Sequence, residues 1–91
     1  MTEQLARQEL ATLMNERNAL KREHDTLVER ANRLEYAYYC SHESDKDLLE
    51  EWLYTREKAD EIWSESRRNF ARQCELRRYL ERFRDPNRAY V

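Results

Sequence analysis

The sequence predicts an all-α protein: an antiparallel two-helix hairpin of coiled-coil type that dimerises into an elongated four-helix bundle. Three observations predict it. Leu13, Leu20, Leu27 and Leu34 recur every seven residues, which places them on one seam of a helix that needs a partner helix. Gly is absent from the 91 residues and Pro occurs once, at Pro86, so a small sheet would lack the residues for its tight turns. Charged residues make up 40%, yet the net charge is only -2 and 11% are aromatic. Long helices solvated on most faces explain that balance better than disorder does. The mean hydropathy of -1.20 is correspondingly low for a compact monomer.

The chain has room for one domain, 1–91, with one core. A first helix is expected over 3–40. With the leucines at heptad position d, position a holds Leu10, Arg17, His24, Ala31 and Tyr38, and position e adds Met14 and Val28. The apolar stripe is therefore wider than a two-stranded seam, which suits a helix with more than one neighbour. Arg17 and His24 are expected at the edge of that stripe with their stems covered. Tyr36 and Tyr39 should project away from the seam. They either cover the bend and the start of the second helix, the plainer reading, or meet a partner.

The bend is expected over 41–45, in Ser-His-Glu-Ser-Asp. Ser44 is the expected N-cap of the second helix, with Asp47 completing a variant capping box. Cys40, His42 and Glu43 lie close together here, but one Cys and one His make at most half a zinc site. No metal and no cofactor are expected. Cys40 and Cys74 would lie about 40 Å apart in a hairpin, too far to pair. Reduced thiols in a cytoplasmic protein are the expectation. No apolar run approaches a membrane span and no signal-peptide core follows Met1.

A second helix is expected over 46–84, with a mobile tail over 85–91 beginning just before Pro86. Its apolar residues run from Leu48 and Leu49 through Trp52, Leu53, Ala59, Ile62, Trp63 and Phe70 to Leu80 and Phe83, with Ser66 and Gln73 as gaps. Trp52 and Trp63 are three turns apart and share a face. A lone hairpin would leave Trp52, Trp63 and Phe70 half exposed, and a second hairpin would cover them, so a homodimer is expected. The core and dimer contacts are assigned to the four leucines with Trp52, Ile62, Trp63 and Phe70.

Charge along this helix is divided. From Glu43 to Glu65 nine acids face three bases, and from Arg67 onward eight arginines face three acids. The structural explanation is that acids suit a helix N-terminus and bases its C-terminus. Two functional explanations compete with it. The arginines, interleaved with aromatics, could bind nucleic acid through Arg72, Arg78 and Arg82. Alternatively, Glu50, Glu57 and Glu61 could imitate a phosphate backbone and inhibit a nucleic-acid-binding protein. A basic leucine zipper is excluded by order, because its basic segment precedes the leucines.

No Ser–His–acid or Cys–His arrangement has a defensible spacing, and the close approach of backbone to a phosphate or cofactor usually needs Gly, which is absent. The expectation is a protein that is not an enzyme: a small helical adaptor, regulator or inhibitor that binds another protein, with nucleic acid as the alternative partner.

Overall fold

The computed structural model describes residues 1–84 and is a helical hairpin of 67 × 27 × 14 Å. Helix α1 spans Glu3–Cys40 and helix α2 spans Lys46–Leu80, followed by a single 3-10 turn, Glu81–Phe83. Tightening of a last turn in this way is common at helix C-termini. The second helix thus stops short of the expected residue 84. Pro86, Arg88 and the expected mobile tail lie outside the described residues.

Both helices follow one heptad register throughout. In α1 the residues facing α2 are Ala6, Leu13, Leu20, Leu27 and Leu34 at d, with Leu10, Arg17, His24, Ala31 and Tyr38 at a. In α2 they step alternately by three and four from Leu48 through Trp52, Thr55, Ala59 and Ile62. They continue through Ser66, Asn69, Gln73 and Leu76 to Leu80. This strict alternation is the signature of two helices sharing a single seam.

The seam corrects three expectations. Ser66 and Gln73 are buried members of it rather than gaps, as are Thr55 and Asn69. Met14 at position e is 46% exposed, so the α1 stripe is narrower than predicted. Arg17 and His24 are partly buried within the seam instead of lining its edge. The common reason is that a hairpin gives each helix one neighbour, and one neighbour covers only a and d.

Polar seam residues are tolerable because they bond to one another and to backbone. Asn69 Nδ2 donates to the Leu13 carbonyl across the hairpin at 3.0 Å, and Gln73 Nε2 donates to Asn69 Oδ1 at 2.7 Å. Arg77 donates to Gln73 Oε1 at 3.2 Å, and the Thr55 hydroxyl to the Glu51 carbonyl at 2.7 Å. The Asn69 bond ties one α2 residue to one α1 carbonyl, so it selects a register that apolar contacts alone would leave loose.

The bend is built by helix-capping chemistry. The His42 amide donates to the Tyr39 carbonyl at 3.1 Å and the Glu43 amide to the Tyr38 carbonyl at 3.3 Å. These two bonds form a Schellman end to α1. His42 and Glu43 have φ of 58° and 59°, the left-handed region that favours glycine. The N-cap of α2 is Asp45 and not Ser44. Asp45 Oδ1 accepts from the amides of Asp47 and Leu48 at 3.1 and 3.2 Å. The Ser44 hydroxyl is turned back to donate to the Ser41 carbonyl.

Candidate interaction surfaces

Because the hairpin is one layer of two helices, the surfaces it offers are its two broad faces and the outer sides of each helix. The two broad faces differ. On one, the g positions meet across the seam: Arg72 Nε bonds Glu9 at 2.9 Å, and Arg30 pairs with Glu51. Arg72 also reaches Glu75 at 3.0 Å. The Glu9 hydrogen bond, and then that to Glu75, hold the Arg72 guanidinium above its ordinary range. A groove of about 470 Å³ opens on this ionic face between Leu13, Glu16, Leu20, Glu65, Asn69 and Arg72. It presents carboxylates and guanidinium groups beside the leucines of the seam.

On the opposite face the e positions stand beside the seam. Here Met14, Trp63 and Phe70 are 46%, 43% and 42% exposed. The Arg17 guanidinium lies 4.4 Å from the Phe70 ring centroid, in cation–π range, while its Nε is buried without a hydrogen-bond acceptor. The His24 and Trp63 ring centroids are 5.1 Å apart. Val28, Glu35, Arg56 and Asp60 continue the same face toward the bend around a shallow depression beside Trp52.

Of the residues assigned to core and dimer contact, Leu13, Leu20, Leu27, Leu34, Trp52 and Ile62 lie half-buried in the intrachain seam. Trp63 and Phe70 stand outside it on the apolar face. Trp52 and Trp63 therefore do not share one environment, since the heptad register puts the first at a and the second at e.

Tyr39 packs its ring edge-on to Trp52 at 6.3 Å, and the Tyr38 hydroxyl donates to the Glu43 carbonyl at 3.3 Å. These tyrosines cover the bend and the start of α2. Tyr36 is 74% exposed, and its phenol is pushed upward by a hydrogen bond with Cys40. Both Cys40 and Cys74 are free. Among the described residues, no three His, Cys, Asp or Glu side chains converge as a metal site would require.

The outer side of α2 holds Glu50, Glu57 and Glu61 near the bend, all exposed. Glu61 is bridged to Lys58 at 3.3 Å and holds that ammonium above its ordinary range. Toward the termini the same side is basic. Arg67, Arg68, Arg78 and Arg82 are exposed, and none has an ion-pair partner among the described residues. Of the three arginines assigned to nucleic acid, Arg72 is already engaged by two carboxylates, whereas Arg78 and Arg82 are available. Among the described residues no helix is long and apolar enough to cross a membrane.

Residue-by-residue reading of the sequence missed the polar seam of α2 and the stacking of Arg17 on Phe70. The three-four alternation from Leu48 to Leu80 was the signal for the seam, obscured because four of its members are Thr, Ser, Asn and Gln. Compared with known protein families, with characterised proteins and with solved structures, the chain matches none of them.

Proposed function

We propose that this protein is a non-enzymatic interaction module, a hairpin that self-associates and acts by binding another protein. The observation that carries this reading is the contrast between the two broad faces. One is closed by interhelical ion pairs. The other leaves Met14, Trp63 and Phe70 on a face that no element among the described residues covers. Exposed aromatics and Met grouped beside charged residues are typical of protein interfaces. The outer sides, with Tyr36 at one end and Glu50, Glu57 and Glu61 along α2, remain free for a further partner once the apolar face is used.

One specific observation favours a second reading. The unpaired arginines at positions 67, 68, 78 and 82 form a basic outer side with Tyr79 beneath Arg82, its ring 5.5 Å from the guanidinium carbon. Such a surface can track a nucleic-acid backbone. The pI of about 5.7 weighs on the side of a protein partner.

The test is affinity capture from the native cell extract with and without nuclease, comparing the natural chain with one carrying Glu50→Lys, Glu57→Lys and Glu61→Lys. A protein retained through nuclease and lost with the charge-reversed chain is the expected result. Retention only while nucleic acid is intact, with loss on Arg78→Glu and Arg82→Glu and a steep dependence on salt, would replace it with the second reading.

A further inference from the structure

We infer that the apolar face is covered by a second copy of this chain, docked antiparallel, with the twofold axis passing close to Trp63. This rests on the self-association proposed above and specifies its surface and orientation.

The first argument is how little the single hairpin buries. Among the described residues its buried apolar side chains are Ala6, Ala31, Ala59 and Leu76, three of them alanine. A layer 14 Å thick has no interior beyond that seam. Ordering a residue costs about 1–2 kcal/mol of backbone entropy, and chains of this size with small cores usually need oligomerisation or staples. The broad face, at most 67 by 27 Å, has ample room for the roughly 800 Å² per partner of a standard interface. Face-to-face stacking of two hairpins makes a four-helix bundle.

The second argument is charge, and it identifies the partner and its direction. Toward the bend, Asp25, Glu35 and Asp60 outnumber Lys46 and Arg56 on this face. Toward the termini, Arg7, Arg17, Lys21, Arg67 and Arg77 outnumber Glu81 and the Glu3 that pairs with Arg7. The surface is therefore complementary to itself when one copy is reversed, and repels itself when the copies run parallel.

Position fits as well. Trp63 is the midpoint of Lys46–Leu80, so reversal about it sets Asp60 of one copy opposite Ser66 and beside Arg67 of the other. The Arg17 guanidinium, stacked on Phe70 one layer away, is then close to that same carboxylate. Phe70 of one copy meets Arg56 of the other. An isologous contact of this kind closes on itself as a dimer.

The test is sedimentation equilibrium of the full chain at micromolar concentration, with helicity followed by circular dichroism. The natural chain should be a dimer, and Trp63→Glu should raise its dissociation constant about thirtyfold or more. Because Trp63→Glu could also unfold a marginal hairpin, the orientation is read from exposed charges. Asp60→Arg alone and Arg67→Asp alone should each weaken the dimer, and the two together in one chain should restore it. In a parallel dimer the axis would run along the helices and stack α2 on α1 of the other copy, with Asp60 near Asp25 and Arg67 near Arg17 and Lys21. Each single change would then strengthen the dimer and overturn the inferred orientation. A dimer untouched by Trp63→Glu, or by both single charge changes, overturns the inferred face or orientation and leaves self-association standing. A monomeric natural chain removes both.

Discussion

His42 and Glu43 occupy left-handed backbone with no glycine to make it easy. Each non-glycine residue there costs about 1–2 kcal/mol, because Cβ crowds the following carbonyl. The position matters because the bend has only five residues, Ser41 to Asp45, in which to reverse a 38-residue helix. The Schellman bonds to Tyr38 and Tyr39 hold the reversal in place, and the Tyr38 hydroxyl adds a bond to the Glu43 carbonyl. None of these bonds uses the His42 side chain. His42→Gly should therefore stabilise the protein by about 1 kcal/mol, less than the full steric cost because glycine is also freer when unfolded. Urea unfolding at fixed protein concentration would register this as a higher midpoint with an unchanged slope. A lower midpoint would mean that the imidazole supports the bend in a way its exposed position does not suggest.

At the scale of the element, α2 begins where its side chains can hold the free amides. Asp45 is extended, at φ -88° and ψ 98°, and its carboxylate accepts from two of them. Ser44, one residue earlier, bonds to the bend instead. Asp45→Ala should cost about 1 kcal/mol and Ser44→Ala distinctly less, measured as the difference in unfolding free energy between the two variants. The reverse order would return the cap to Ser44. This pair also shows what the sequence could disclose. Both residues are good caps, so composition located the bend but could not choose between them, since the choice depends on which one the chain leaves extended. The leucine ladder of α1 was legible because its apolar type and its spacing agree. The α2 seam was not, because its geometry passes through Thr55, Ser66, Asn69 and Gln73 while bulkier Trp63 and Phe70 lie just outside it. A side chain's size says that it should be covered, and only the register says by what.

At the scale of the whole molecule, a hairpin with one polar-interrupted seam is a poor folding unit by itself. Its solvation is good and its burial is small, as the seam's alanines and amides dictate. The candidate surfaces follow from the same arithmetic of faces: the ionic face closes the hairpin, and the apolar face is left over. If folding is completed by a second copy, stability becomes a property of concentration as well as of sequence. Raising the protein concentration a hundredfold then adds about 2.7 kcal/mol per dimer. For a folding unit of this dimeric size, each kcal/mol moves the melting temperature by roughly 2–4 °C. Thermal unfolding followed by circular dichroism should thus shift upward by about 5–10 °C across that range. An independent hairpin would melt at one temperature at every concentration, because its unfolding is unimolecular. The same titration in Trp63→Glu separates the two cases again: a chain that has lost its dimer contact but kept its hairpin should melt lower and without the slope.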